Sequence, residues 1–174
     1  MAIIVENGSG VSGANSYITV SGVGVYASKY GYTTWDTDGD GVARTSTAKE
    51  QALMRAMRYI EGLNWKGTTY SQSQALQFPR SGMLDRDGRE ILENVVPQVV
   101  VDALCEACMI CLPESEIDLQ PNINRDNYVN YEQVTGAVTV SYTMKGPIIP
   151  RSSIIEDKLR GLLKASFIIL GQRG

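Results

Sequence analysis

Four stretches of the chain place apolar residues at helical spacing. In the clearest, Ala52, Leu53, Ala56, Met57, Ile60 and Leu63 recur on one stripe, the pattern of a helix with a single buried face. Thr47 and Glu50 predict a capping box at its start and Gly62 marks its end. A second stretch opens at Pro97 and stops before Pro113; Val100, Val101, Leu104, Ala107, Cys108, Cys111 and Leu112 cover much of its circumference. That pattern predicts the central core helix, with Pro97 in its first turn. A third begins at a Ser153–Glu156 cap and carries Ile155, Leu159, Leu162, Leu163, Phe167 and Leu170, predicting a final amphipathic helix. The fourth, Ser21 to Tyr30, ends at Gly31 and turns Val25, Tyr26 and Tyr30 inward; Gly22 and Gly24 weaken it, each costing about 1 kcal/mol against alanine.

Alternation replaces helical spacing from Tyr128 to Val134 and from Ala137 to Thr143. Val138, Val140 and Tyr142 share one face, Thr139, Ser141 and Thr143 the other, and Thr135-Gly136 between them predicts a β-hairpin. A lone hairpin is marginal, so it packs on the helices or extends a sheet across subunits. Residues 2–5 and 17–20 are short and β-prone, separated by the Gly/Ser-rich Asn7 to Asn15. The polar stretch from Glu114 to Asn127 reads as a loop or extended arm, and Pro147 and Pro150 bracket a stiff link from Lys145 to Arg151. The expected fold is mainly α: a small helical bundle with a β-hairpin (128–144) and extended N- and C-terminal arms. A body over 1–150 contains a long central loop (64–93), and residues 151–174 form a docking helix.

The segment Ser73 to Gly88 joins the second and third helices. Pro79 excludes a helix, while Ser81-Gly82 and Asp87-Gly88 are turn pairs. Leu76, Phe78 and Leu84 are placed to plug this loop onto the core, with Arg80, Asp85 and Asp87 either solvated or functional; long ordered loops in compact domains are uncommon without a role. Its sequence, with Gln74 to Arg80 at its centre, joins Gly13-Ala14-Asn15-Ser16-Tyr17, Gln51 to Ala56 and Gly136 to Tyr142 in a pattern that resembles the head-to-tail connector (adaptor) proteins of tailed phages, some of which carry a DnaT-like, single-stranded-DNA-binding label. The resemblance spans most of the chain and includes no catalytic motif.

Composition narrows the chemistry. With 43% hydrophobic and 20% charged residues in 174, the chain reads as one globular domain, and no apolar run reaches the length of a membrane span. The first residues lack the pattern of a secretory signal, so the expectation is a protein that stays in the cytoplasm where it is made. The net charge of −3 gives no global attraction to nucleic acid or anionic membrane. Histidine is absent, which removes Ser-His-Asp and Cys-His nucleophile systems and the commonest metal ligand. The chain is therefore expected not to be an enzyme and to need no cofactor.

Several local motifs have plain structural readings. Gly8-Ser9-Gly10 lacks the Lys-Ser/Thr of a phosphate loop. Asp36, Asp38 and Asp40 before Gly41 resemble the start of a calcium loop, but the closing position holds Thr47 rather than glutamate, so a solvated turn is expected. Cys105, Cys108 and Cys111 have half of a ferredoxin spacing, with Ser115 where the fourth ligand belongs; they read as reduced core residues. Arg55 and Arg58 can touch phosphate but fit a solvated helix face. Trp65 and Tyr70 read as cover for the core.

The connector resemblance implies a ring of about twelve copies under the portal protein. Such a ring joins the DNA-filled head to a downstream tail or neck protein, lines a channel through which DNA passes without sequence-specific binding, and sits in the virion neck after assembly in the host cytoplasm. It also implies a carboxy-terminal arm docked into the portal. Residues 145–174 hold six basic and two acidic side chains, suited to a partner-facing tail, with Arg151, Ile155, Leu159, Leu162, Leu163 and Phe167 as its docking residues. Arg80, Asp85, Arg86 and Asp87, with Val138, Val140 and Tyr142, are the expected subunit interface. The alternative is a DnaT-like single-stranded-DNA-binding replication accessory, which needs a basic groove with stacking aromatics; its candidates are Trp65, Tyr70, Arg80, Arg86 and Arg89.

Overall fold

A computed structural model describes residues 2–112, 131–134, 138–141 and 153–164. Helix α1 spans Val20–Tyr30, α2 spans Ser46–Glu61, α3 spans Gln98–Ile110 and α4 spans Ser153–Leu159. A two-stranded antiparallel ladder, β1 (Thr68–Thr69) with β2 (Arg80–Ser81), closes the central loop. The hairpin pairs β3 (Tyr131–Val134) with β4 (Val138–Ser141), in register Tyr131 to Ser141 and Val134 to Val138. The protein is thus a small helical fold with a hairpin, as the periodicity predicts.

Helix α3 is the centre: α1, α2 and α4 all pack on it. Its Val100, Ala103, Leu104, Ala107 and Cys108 are fully buried against Leu53, Ala56 and Ile60 of α2 and Ile155 and Leu159 of α4. Each buried Val, Leu or Ile side chain among them contributes about 1.5–3 kcal/mol when removed from water, and each alanine less. Pro97 is the N-cap of α3, with extended backbone at φ −59°, ψ 137°, one residue outside the first turn. In α2 the cap is Thr45, whose Oγ1 accepts from the Ala48 amide at 3.2 Å, so the helix starts ahead of the expected Thr47–Glu50 box.

Helix α1 forms where expected, but with a different buried face. Val23, Tyr26 and Ala27 point inward, while Val25 is 71% and Tyr30 51% exposed. Gly22 is tolerated because the turn beneath it is tight: a Cβ there would stand 2.6 Å from Ile18 Cγ1. The β-prone Tyr17 to Val20 does not make a strand. Thr19 caps α1 by accepting from the Gly22 amide at 3.0 Å, and the N-terminal segment keeps one parallel bridge, Val5 to Ser16.

The central loop is ordered around Phe78, which precedes a cis peptide bond to Pro79. Phe78 is buried with its ring edge-on to Trp65 at 4.8 Å and to Tyr17 at 6.0 Å. Leu76 is half-buried beside this cluster, but Leu84 is 52% exposed and plugs nothing. After α4 the chain turns and pairs with the start of the loop: Lys66 N donates to Leu162 O at 2.9 Å and Lys164 N to Asn64 O at 2.8 Å. The expected polar arm (114–127), the link 145–151, Tyr142, Phe167 and Leu170 lie outside the described residues.

Candidate nucleic-acid interface

Arg80 is buried. It is 7% exposed and spends its guanidinium inside its own loop: Nε donates to Lys66 O at 2.7 Å, Nη2 to Gly67 O at 3.0 Å, and Nη1 to Gln77 Oε1 at 2.6 Å and Gln77 O at 3.3 Å. Burial lowers its pKa, opposed by Tyr17 and Glu61 nearby. Arg80 thus forms a knot that holds β1, β2 and the Phe78 turn together. Trp65 is removed as a stacking residue, being 3% exposed with Nε1 donating to Ile60 O at 3.2 Å.

Behind Arg80 lies a second buried network. Glu61 accepts from the Tyr17 hydroxyl and, at 2.8 Å, from the Gln77 amide; Phe78 N donates to Tyr17 Oη at 3.1 Å. Burial raises the Glu61 pKa against the opposing pull of these hydrogen bonds and Arg80, and burial with the adjacent carboxylate raises that of Tyr17. These contacts tie the loop to α2 and to the N-terminal segment.

The turn Leu84 to Glu90 is built by Asp85, whose Oδ1 accepts from the amides of Asp87 at 2.9 Å and Arg89 at 2.8 Å. Asp87 pairs with Arg89 at 3.1 Å, and both side chains are exposed, so the pair is worth about 0–1 kcal/mol. Arg86 crosses to α4 and donates to the carbonyls of Asp157 and Lys158, satisfying acceptors left open at a helix C-terminus, where a cation also suits the dipole.

Between this turn and α4 runs a shallow cleft. One part, of about 570 Å³, is lined by Lys66, Asp85, Arg86, Asp157, Arg160 and Gly161. The adjoining part, of about 390 Å³, adds Lys158, Asp87, Ile91 and Val99. Lys66 Nζ donates to Gly161 O at 2.9 Å, and Arg160 pairs with Asp157 at 2.8 Å with both side chains mostly exposed. Four cations therefore converge where the sequence spreads them over almost a hundred positions. Sequence reasoning selected Arg86 from this set and missed Lys66, Lys158 and Arg160 as a group, because only the pairing of residues 64–66 with 162–164 brings them together.

Lys158 also reaches the body. It stands 3.6 Å from Glu106 Oε1 and 3.4 Å from the Tyr26 hydroxyl. Glu106, buried on α3, accepts from Tyr26 at 2.8 Å and Tyr32 at 2.9 Å. A carboxylate in the core is tolerated when its oxygens are hydrogen-bonded and a cation is near. This cluster was not legible in the chain, where Glu106 looks like one charge on an apolar helix.

The docking face expected of the C-terminal helix is occupied. Ile155 and Leu159 are fully buried and Leu162 is 3% exposed in the chain's own core, with Leu163 packed against it; the apolar groove they fill belongs to α3 and the central loop. Those four residues pack in the chain's own core, while Arg151 and Phe167 lie outside the described residues. For the predicted hairpin interface, Val138 and Val140 fall on β4.

The metal-like motifs follow their plain readings. Asp38 Oδ1 accepts from the amides of Asp40 at 3.1 Å and Val42 at 2.8 Å, and Asp36 pairs with Lys49 at 2.6 Å; these carboxylates build a turn. Among the described residues no group of His, Cys, Asp or Glu is arranged to hold a metal ion. Cys105 and Cys108 are buried as free thiols and Cys111 is half-buried. Burial pushes the Cys105 thiol up to about 12 and Cys108 well above the usual thiol range. No described helix is long and apolar enough to cross a membrane.

The described residues form a helical body, a hairpin and a cation-lined cleft. The chain belongs to the family described as "Putative DnaT-like ssDNA binding protein", whose pattern it matches over residues 1–173. No curated protein and no solved structure matches it.

Proposed function

We propose that this protein binds single-stranded DNA, with the cleft between the Leu84–Glu90 turn and α4 as its phosphate-binding surface. The observation that carries the reading is the convergence of Lys66, Arg86, Lys158 and Arg160 on that cleft; the family description supports it. Asp85, Asp87 and Asp157 share the lining, so the field is only weakly positive and binding is modest. Lysine and arginine at a phosphate release counterions, and three such contacts give a log–log salt slope of about −2 on a single strand. The test is anisotropy titration of labelled single-stranded DNA across salt concentrations. Charge reversal of two exposed groups, Lys66→Glu with Arg160→Glu, lowers affinity and flattens the slope; a variant that binds with wild-type affinity and slope rejects the cleft.

A second reading is favoured by one observation: β3 and β4 hydrogen-bond only to each other among the described residues, and an isolated hairpin is marginal without further strands or packing. A ring of copies that extends this sheet through Val138 and Val140 would supply the missing partners. That is the head-to-tail connector, with a portal protein above it, a tail or neck protein below and DNA passing through the channel. Its test is co-sedimentation with DNA-filled, tail-less phage heads. Because α4 is part of the core, the informative deletion removes residues 165–174 rather than the helix.

A further inference from the structure

We propose that Tyr30 is a stacking platform for one unpaired nucleobase, placed beside the phosphate cleft; the inference rests on the single-stranded-DNA reading. Helix α1 sets Tyr26 and Tyr30 one turn apart, with ring centroids 4.5 Å apart and planes tilted by 41°. Tyr26 is 8% exposed and anchored from behind by its hydroxyl bond to Glu106, whereas Tyr30 is 51% exposed. The outer ring thus rests on a fixed inner one, so a base landing on it meets a surface that is already ordered.

The charges around this pair suit a nucleotide. Lys29 Nζ lies over the Tyr30 ring, 5.2 Å from its centroid, in a cation–π contact; a stacking base displaces this flexible ammonium from the ring toward its own flanking phosphate. Lys158 bonds the Tyr26 hydroxyl and also lines the cleft, so the aromatic pair and the phosphate surface meet at one side chain. Glu106, the carboxylate that would repel a phosphate, is buried and matched by Tyr26, Tyr32 and Lys158. Asp102, the other acid near Tyr26, accepts from Gln98 Nε2 at 2.8 Å. Trp65 and Phe78, by contrast, are buried in the core. Every base has a π-face, so the platform takes any unpaired base without regard to sequence.

The experiment is an anisotropy titration of the full chain with two labelled strands of about 20 nucleotides, one of oligo(dT) and one with abasic sites throughout. Tyr30→Leu keeps an apolar contact on Tyr26 but no flat ring, and is expected to weaken oligo(dT) binding about tenfold. Tyr30→Phe retains wild-type affinity, and the abasic strand binds wild type and Tyr30→Leu alike. Wild-type binding of oligo(dT) that Tyr30→Leu leaves unchanged, or an equal loss on the abasic strand, overturns the platform alone. Absence of oligo(dT) binding by the wild type at low salt overturns the platform and the function together.

Discussion

Replacing Arg80 by alanine strips the central loop of a buried cation whose three shortest bonds, at 2.6, 2.7 and 3.0 Å, go to Gln77 Oε1, Lys66 O and Gly67 O. A hydrogen bond to a charged group is worth about 1.5–3 kcal/mol net. Lys66 is exposed and Gly67 half-buried, so water re-enters at their carbonyls and the recovered solvation trims each loss to about 1 kcal/mol. The expected cost is about 3 kcal/mol, which for a chain of this size lowers Tm by roughly 6–12 °C. Arg80→Lys keeps the charge but has no planar fork to span Lys66, Gly67 and Gln77, and recovers less than half of that. Urea unfolding followed by Trp fluorescence reads both variants through the midpoint at constant m. Had Arg80 served a neighbouring subunit, the monomer would keep its stability; a loss below 1 kcal/mol for Arg80→Ala, or full recovery by lysine, refutes the knot.

Other consequences are independent of that loop. Gly8→Ala should destabilise by several kcal/mol, because φ is +103° and a Cβ would stand 2.1 Å from the Asn94 carbonyl oxygen; a thermal melt unchanged from wild type contradicts the packing of the N-terminal loop. Since burial raises Glu61 above its ordinary value of 4.5 in the folded state, the native protein holds more protons than the unfolded chain just above that pH. Wild-type stability therefore falls as pH rises from 4.5 toward the raised value and then levels, and Glu61→Gln removes that slope in urea titrations across pH. Thiol labelling at pH 8 should modify only the half-buried Cys111 quickly, with Cys105 and Cys108 reacting on unfolding; three fast thiols in the native protein would show that α3 is not the core helix.

The helices were legible because burial repeats with their period. The stripe from Ala52 to Ile60 and the apolar wrap from Val100 to Leu112 exist to fill one core, and they do. The Pro79 loop and the Asp38 turn were legible from backbone chemistry alone. The inner face of α1 was not: Val25 and Tyr26 are adjacent, and only the approach of α3, with Glu106 reaching Tyr26, decides which of them turns inward. The last helix resembles a docking arm in sequence because its apolar stripe has no local partner, and amphipathicity cannot say whose groove it fills. The cleft stayed hidden for a related reason. Lys66 and Arg160 become neighbours through a backbone pairing between Asn64–Lys66 and Leu162–Lys164 that leaves no trace in composition or spacing.

The most direct test of the functional account is an equilibrium titration of the purified full chain with a fluorescent single strand and with the duplex of the same sequence, at low and at physiological salt. Stronger binding of the single strand, weakening with salt and reduced by Lys66→Glu with Arg160→Glu, is the predicted result. Absence of binding to either DNA at low salt, together with saturable attachment to DNA-filled heads that carry a portal, would contradict it and make the connector the function.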